Sequence, residues 1–212
     1  MTEGEQVALL VAHPDDETLW AGGALLIHPH WSTHVATLCR ASDADRAPKF
    51  AKALTALSAS GKMADLDDGP EQRPLPDAAV ETALLSALPE RSFARILTHS
   101  PLGEYTRHRR HEEVARAALR LWVSGALRTA ELWLFAYDDD RGQRLPEACP
   151  AADLGFDLKD EIWCRKLAVM LDCYGFAKDS WEARVTPRRE AFWRVRSHAE
   201  ALIWLERAKD RP

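Results

Sequence analysis

The stretch "VALLVAHPDDETLWAGG", residues 7–23, joins an apolar run to a cluster of acidic side chains. Residues 7–12 are all apolar, which predicts a fully buried strand. His13 follows directly, and Asp15, Asp16 and Glu17 stand side by side after it. Like charges this close repel one another and are costly to bury. A buried strand that ends in such a cluster therefore indicates a site at which something compensates the negative charge.

Short apolar runs alternate with helical patterns downstream of this stretch, which is typical of βα units and a parallel sheet. The predicted strands are 7–12, 34–39, 63–66, 94–98 and 131–136, and the predicted helices between them are 18–27, 45–60, 77–88 and 111–123. Beyond residue 150 the pattern predicts two long helices, 157–172 and 187–208, with a short strand at 181–185. In the second of these helices we expect one packed face, formed by Phe192, Val195, Ala199, Leu202 and Ile203.

The chain as a whole is predicted to form one α/β domain over residues 1–212. We expect a Rossmann-like three-layer sandwich, in which helices cover both faces of a mostly parallel sheet. The motif-bearing core is predicted over about residues 1–140 and a helical C-terminal part over about residues 150–212.

Composition narrows the classes of function. The 212 residues are 46% hydrophobic and 29% charged, with a formal net charge of −5. This balance argues against duplex nucleic acid or an anionic membrane as the main partner. No apolar run approaches the roughly 18 residues of a membrane span. The four cysteines are too scattered for a zinc knuckle, so we interpret them as free thiols in a reducing cytoplasm. The eight tryptophans fit either a large core or a homo-oligomer interface.

In an open α/β sheet, ligands bind beyond the carboxyl ends of the strands. Three segments stand at such ends: "HPDDE" (13–17), "CRASDADR" (39–46) and "THSPLGEYTRHRRHEE" (98–113). They are far apart in sequence, yet the topology predicts that they share one rim of the sheet. The rim is therefore the candidate site.

A divalent cation explains the acidic cluster, because it converts repulsion between carboxylates into coordination. His13 and Asp16 are close enough on a strand-to-helix turn to bind one ion. A catalytic zinc keeps about three protein ligands and an open position for water. His108 and His111, three residues apart at the start of a predicted helix, are the best sources of the third ligand.

Asp15 then remains beside the metal as a candidate general base. A carboxylate in that position can accept a proton from a water molecule whose pKa the metal has lowered. The metal and a neighbouring imidazole can stabilise the oxyanion that forms when water attacks a carbonyl group. The residues therefore predict metal-assisted hydrolysis of an amide or an ester.

The segment "AHPDDE" (12–17) resembles the signature of the PIG-L/LmbE-like family of zinc-dependent N-acetylglucosaminyl deacetylases. "HRRHEEV" (108–114) is similar to the second motif of that family, which usually reads His-Pro-Asp-His. "DADRAPKFAKALTALSASG" (43–61) is similar to a stretch in which an acidic residue and an arginine precede an alanine-rich helix. The resemblance covers about the first 140 residues.

The resemblance implies a mechanism and a site. It implies His13, Asp16 and His111 as zinc ligands, with Fe²⁺ as a possible replacement. It also implies Asp15 as the base that activates water, and His108 as the group that polarises the carbonyl or protonates the leaving amine. The implied partner is a small N-acetylated sugar conjugate, which is hydrolysed to acetate and a free amine.

The second motif departs from the family pattern, because Arg109 and Arg110 replace Pro-Asp. These cations should disfavour the imidazolium form of His108, unless Glu104, Glu112 or another acid partners that histidine. Alternatively, Arg107, Arg109 and Arg110 recognise a carboxylate or phosphate of the substrate.

Several other residues on the same rim have two interpretations. Arg40, Asp43 and Arg46 either hold sugar hydroxyl groups or belong to a solvated loop. His99 either touches the substrate or is a buried loop histidine. Glu17 either supports a metal ligand or simply begins a helix.

Two other functions remain open. The same site suits a metal-dependent amidase that acts on a non-sugar amide. A binding protein with a weakened or idle site on the same fold is also compatible with Arg109 and Arg110.

Overall fold

The structure, a computed structural model, describes residues 4–105 and 107–209. Strands and helices alternate through most of the chain, as the apolar pattern predicts. The strands are β1 (Glu5–Val11), β2 (Trp31–Cys39), β3 (Ser60–Leu66), β4 (Ser92–Phe93), β5 (Arg95–Thr98), β6 (Arg128–Thr129), β7 (Leu132–Phe135), β8 (Tyr137–Asp138), β9 (Glu147–Ala148), β10 (Leu154–Asp157) and β11 (Arg189–Val195).

Helices connect the strands and cover the sheet. They are α1 (Asp16–Ile27), α2 (Arg46–Ala56), α3 (Asp77–Ala87), α4 (Arg109–Val123), α5 (Asp160–Ala168), α6 (Trp181–Val185) and α7 (His198–Lys209). A π-helical turn, Val169–Cys173, continues α5. In the part of the chain that the structure describes, the longest helix has 15 residues, and none has both the length and the apolar character to cross a bilayer.

Seven strands form the central sheet in the order β10-β11-β7-β5-β1-β2-β3. The five strands from β7 to β3 pair in parallel, whereas β10 and β11 are antiparallel to their neighbours. The predicted fold class, a mostly parallel sheet between two helical layers, is therefore confirmed.

Strand β1 lies between β5 and β2, near the middle of the sheet, and is buried on both faces. Val7, Leu9 and Val11 belong to the apolar core on one face, whereas Ala8 and Leu10 belong to the core on the other. This double burial explains why residues 7–12 read as a continuous apolar run rather than an alternating one. It also places the residues that follow β1 in the interior of the rim.

The C-terminal part, predicted as helical, also contains strand β10, and two of its segments differ in type from their prediction. The segment predicted as one helix, 187–208, contains the antiparallel strand β11 followed by α7. Phe192 and Val195 pack from the strand, while Leu202 and Ile203 are 53% and 57% exposed, so the expected packed helix face is wrong. Residues 181–185, predicted as a strand, form helix α6. Both errors arise because short apolar runs do not distinguish a strand from a helix.

Candidate metal centre

The carboxyl end of β1 delivers the first motif into the rim. His13 follows the strand, and helix α1 begins at Asp16. The backbone N–H of His13 donates to Oδ2 of Asp16 at 2.8 Å, which folds the carboxylate back over the end of the strand. Asp15 between them has φ 121° and ψ −31°, a conformation that side-chain-bearing residues rarely adopt. The turn therefore presents His13, Asp15 and Asp16 in different directions.

Three atoms from two distant segments converge at this point. Nδ1 of His13 lies 3.2 Å from Oδ2 of Asp16 and 3.2 Å from Nε2 of His111. Nε2 of His111 lies 3.4 Å from the same oxygen of Asp16. His111 lies in the first turn of α4, which follows β5, the strand that pairs with β1. The prediction that the two loops meet on one rim is therefore confirmed by these distances.

Carboxylates behind the two rings determine which nitrogen carries the proton. Nε2 of His13 lies 3.2 Å from Oδ1 of Asp68, and Nδ1 of His111 lies 3.0 Å from Oε2 of Glu104. If each of these nitrogens donates to its carboxylate, the opposite nitrogen has a lone pair. The lone pairs of both rings then point at Asp16, so three acceptors face one another.

Glu104 also positions a third ring, that of His99. The backbone N–H of Ala12 donates to Nε2 of His99 at 3.0 Å, so Nδ1 carries the proton and donates to Oε1 of Glu104 at 3.1 Å. The ring of His99 stacks on that of His111 with a centroid distance of 3.8 Å. His99 is fully buried, so of its two interpretations the buried loop histidine is the one that the structure supports.

The triangle of acceptors has the dimensions of a zinc site. Tetrahedral zinc with bonds of about 2.0–2.1 Å separates its ligand atoms by about 3.3 Å. The three edges formed by His13, Asp16 and His111 measure 3.2, 3.2 and 3.4 Å. Burial alone would raise the pKa of Asp16, but in the metal-free protein the charges of protonated His111 and His99 lower it well below its usual range, so this carboxylate is an anion. A divalent cation would take the place of those protons. The residues present therefore fit a divalent cation, which His13, Asp16 and His111 would hold.

Asp15 lies beside the triangle and is paired with a cation. Oδ2 of Asp15 accepts a hydrogen bond from Arg46 at 3.0 Å. Burial and then the charge of Asp16 raise the pKa of Asp15 to about 8, although Arg46 acts in the opposite direction. A divalent cation on the triangle would lower that pKa, because it favours the ionised carboxylate. Asp15 is thus a carboxylate whose protonation depends on the charge of its surroundings.

His108 precedes helix α4 and faces the same point. Its ring centroid lies 4.6 Å from that of His13 and 4.5 Å from that of His111. Its Nδ1 atom is buried and has no hydrogen-bond partner among the described residues. Burial, and then the charges of His111 and His13, lower the pKa of His108 to about 4.

The neutral form of His108 has a different cause from the expected one. We expected Arg109 and Arg110 to disfavour the imidazolium, but burial and the other two histidines have the largest effects. The acids proposed as partners are also engaged elsewhere. Glu104 binds His99 and His111, and Glu112 binds Arg107 at 2.9 Å.

The second motif's arginines do not line the cavity at this site. Arg110 is 1% exposed, and its guanidinium donates to Oε2 of Glu113 at 2.6 Å and to the carbonyl oxygens of Asp67 and Arg73. It therefore fastens the loop after β3 to helix α4, and its expected role in substrate binding is wrong. Arg109 is exposed on the first turn of α4 and is likewise absent from the cavity lining.

The loop after β2 contributes two of its three expected residues. Arg40 and Arg46 line the cavity, with Arg40 held by Asp68 at 2.9 Å and Arg46 by Asp15. Asp43 accepts the backbone N–H groups of Asp45 and Arg46, both at 3.0 Å, and does not line the cavity. Asp43 thus binds the backbone that leads into α2 rather than lining the cavity, which corrects its expected contact with substrate.

The cavity over the triangle has a volume of about 210 Å³. Its floor contains the motif residues, and its far wall comes from α6. The lining residues are His13, Pro14, Asp15, Asp16, Leu19, Arg40, Arg46, Asp68, Tyr105, His108, Trp181 and Glu182. The C-terminal part, which carried no motif, therefore supplies an aromatic and an acidic side chain to the site.

Sequence reasoning missed Asp68 altogether. It follows the third strand of the parallel sheet, β3, in the segment "DLDDGP" (65–70). The rule that selected the other rim segments applies equally to this strand end. That rule would therefore have found Asp68. No sequence signal distinguished Glu104 as the acid that binds both His99 and His111.

Comparison with solved structures shows the same fold in proteins of low sequence identity. An N,N'-diacetylchitobiose deacetylase from Pyrococcus horikoshii is 12% identical, with a TM-score of 0.67 over 95% of this chain and 86% of that chain. The zinc-inhibited form of a teicoplanin deacetylase is 15% identical, with a TM-score of 0.62 over 91% of this chain and 98% of that chain.

A protein with a different activity also shares the fold. The 4-carboxy-2-hydroxymuconate hydratase of Pseudomonas putida is 18% identical, with a TM-score of 0.59 over 84% of this chain and 82% of that chain. No protein-family model matches the sequence, and no curated protein matches it significantly. The chain therefore has the fold of a group of structures that includes the chitobiose and teicoplanin deacetylases, as its resemblance to the PIG-L/LmbE-like family implied.

Proposed function

We propose that this protein is a metal-dependent hydrolase that removes the N-acetyl group from an N-acetylglucosamine-type conjugate. His13, Asp16 and His111 would hold the metal, zinc or Fe²⁺. The observation that carries the proposal is the convergence of three acceptor atoms at 3.2–3.4 Å. Such an arrangement is repulsive unless a metal ion, or protons on the two rings, compensates it. The deacetylases of the same fold support the choice of reaction.

A zinc ion at this triangle would supply a Lewis acid and lower the pKa of a bound water molecule. Asp15 is the nearby carboxylate that accepts a proton from the attacking water. Arg46 pairs with Asp15 at 3.0 Å and so favours its ionised form before the proton arrives. The proton is then passed to the departing nitrogen, so that one water molecule and one amide yield acetate and an amine.

His108 lines the same cavity as Asp15 and would contact the reacting carbonyl group. Because its pKa is lowered to about 4, the ring is neutral near pH 7. A neutral imidazole still offers one N–H group, which can donate a hydrogen bond to the oxyanion. The role of His108 is therefore that of a neutral donor rather than a permanent cation.

The size and lining of the cavity fit the proposed substrate. Its volume of about 210 Å³ is below the range of about 300–1,000 Å³ that is common for drug-sized ligands. One acetylated sugar unit is thus the part that enters, and the rest of the conjugate lies outside. Trp181, 38% exposed at the wall, and Tyr105 offer aromatic faces against which a sugar ring can pack.

The hydratase neighbour favours a second candidate, addition of water to an unsaturated carboxylate. That reaction would use the same metal, and Asp15 or His108 would deliver the proton to carbon. A metal-dependent amidase on a non-sugar amide and a binding protein without turnover also remain compatible with the site.

A cytoplasmic location is part of the proposal. Cys39, Cys149, Cys164 and Cys173 are all free thiols in the structure. Unpaired cysteines are common in reducing compartments, whereas secreted proteins tend to pair them.

Metal analysis and an acetate-release assay test the proposed function together. The purified protein should contain about one equivalent of zinc or iron and release acetate from a panel of N-acetylglucosamine conjugates. Asp15→Asn should keep the metal and lose a factor of about 10²–10⁴ in rate, whereas His111→Ala should lose the metal. Metal without acetate release, combined with hydration of an unsaturated carboxylate, would favour the second candidate. Full activity of Asp15→Asn would refute the assigned base.

A further inference from the structure

The backbone of Asp15 needs an external restraint. Its φ of 121° lies in the region that favours glycine and is strained for a residue with a side chain. Such a conformation persists only where surrounding contacts hold it. Asp15 is also the proposed base and lines the cavity. The conformation of its backbone therefore determines where its carboxylate points.

Glu17 supplies this restraint. Its Oε2 atom accepts the backbone N–H of Asp15 at 3.0 Å. The side chain of Glu17 is fully buried and therefore cannot exchange that hydrogen bond for one with water. The carboxylate of Glu17 thus binds the backbone of the turn before α1 and does not belong to the metal triangle.

Tyr174, from the C-terminal part of the chain, holds Glu17 in turn. Its hydroxyl group donates to Oε1 of Glu17 at 2.6 Å, and Thr18 donates to the same oxygen at 2.5 Å. Tyr174 is 2% exposed and follows the π-helical turn Val169–Cys173, and its backbone N–H donates to the carbonyl of Val169 at 3.2 Å. Turns of this kind are frequent near functional sites.

We infer that Glu17 and Tyr174 are positioning residues, which hold the backbone of Asp15 in the conformation that directs its carboxylate at the substrate cavity. This inference rests on the proposed function for its effect on rate, but its geometric part is independent of that function. It assigns a role in the site to a residue 157 positions from Glu17 along the chain.

A second buried tyrosine provides a matched control. Tyr137 is 4% exposed, and its hydroxyl group donates to the carbonyl oxygen of Trp20 at 3.1 Å. Trp20 lies on the same helix α1, but this contact does not reach Asp15. Phenylalanine at position 137 or 174 removes one buried hydroxyl group that donates a hydrogen bond to a residue of α1, so each variant loses one buried hydrogen bond to the same helix.

The experiment compares Tyr174→Phe with Tyr137→Phe by crystallography, metal analysis and steady-state kinetics. In Tyr174→Phe we expect kcat to fall about 10- to 100-fold, which is the usual effect of losing a residue that orients a site residue through hydrogen bonds. KM and metal content should stay unchanged. Its crystal structure should show φ of Asp15 displaced from the positive region. Tyr137→Phe should retain both kcat and the conformation of Asp15.

Glu17→Gln serves as the conservative variant. An amide oxygen can still accept from the N–H of Asp15, while the amide nitrogen can donate to the oxygen of Tyr174. This variant should therefore keep φ of Asp15 positive and lose less activity than Glu17→Leu.

The inference is overturned if Tyr174→Phe retains the kcat of the wild type, or if Tyr137→Phe loses kcat to the same extent. If the wild type releases no acetate, the proposed function fails, and the crystal structures alone decide the inference. An unchanged φ at Asp15 in both Tyr174→Phe and Glu17→Leu would then refute it.

Discussion

Nε2 of His13 lies 3.2 Å from Oδ1 of Asp68, so one nitrogen of this imidazole ring contacts a carboxylate while the other nitrogen, Nδ1, contacts Asp16 and His111. Asp68 itself is held by Arg40 at 2.9 Å and by Gln72 at 3.0 Å. The hydrogen bond to Asp68 selects the tautomer in which Nδ1 has a free lone pair, and it raises the basicity of that nitrogen.

Asp68→Asn should therefore weaken zinc binding by about 10- to 100-fold, since an amide neither selects the tautomer as strongly nor supplies negative charge. Competition with a zinc chelator measures the affinity. Asp67→Asn is the matched control, because Asp67 is 62% exposed at the adjacent position. Equal affinities for the two variants would contradict the role given to Asp68.

The neighbours Arg109 and Arg110 should differ sharply in their effect on stability. Arg110→Ala leaves the carboxylate of Glu113, which is 5% exposed, without its cation, and breaking a buried pair costs about 3–5 kcal/mol. Arg109 is exposed, so Arg109→Ala should change the free energy of unfolding by less than about 0.5 kcal/mol. Urea unfolding measures both. A large loss in Arg109→Ala would show that this side chain makes contacts absent from the structure.

Arg46 should control the acid limb of the pH–rate profile. Its guanidinium lowers the pKa of Asp15, so Arg46→Gln should raise that pKa. A base with a higher pKa is protonated at higher pH, and the acid limb should therefore move up by about 1 pH unit. Lys49→Gln removes a cation from the same helix that pairs with Asp45 instead. A profile that shifts equally in both variants would point to a general charge effect.

Glu104 should make the protein sensitive to acid. Burial alone would raise its pKa, but the charges and hydrogen bonds of His99 and His111 outweigh burial and lower the pKa to about 2 from an ordinary value of 4.5. A depressed carboxyl pKa stabilises the fold above pH 4.5, and this contribution is lost as the pH falls from 4.5 towards 2.

Urea unfolding of the metal-free protein between pH 6 and pH 3 tests this effect of Glu104. The wild type should exceed Glu104→Gln in stability at pH 6, and the difference should shrink as the pH is lowered. A difference that stays constant over this range would exclude the linkage.

Much of the parallel sheet was predictable because a strand buried on both faces needs apolar residues at consecutive positions of the sequence. A central parallel strand must be apolar on both faces, and residues 7–12 show this in β1. The carboxyl-end rule then placed His13 and His111 on one rim, 98 positions apart in the chain. The antiparallel strand β11 was not predictable in the same way, since Phe192 and Val195 have the spacing of one helix face. In the strand they instead belong to the cores on opposite faces of the sheet.

The sequence by itself determined the chemical character of the candidate site: two imidazoles and two neighbouring carboxylates, at the ends of strands whose apolar runs identify them. Only the tertiary structure decided which neighbouring residues set the tautomer, charge and orientation of those groups. Arg110 proved to pair with Glu113 rather than to face the cavity. Residues of the two motifs proved to have hydrogen-bond partners in Asp68, Glu104 and Tyr174. The physical reason is that a ligand's type is a property of one residue, whereas its tautomer, charge and orientation depend on neighbours that folding brings within about 3 Å.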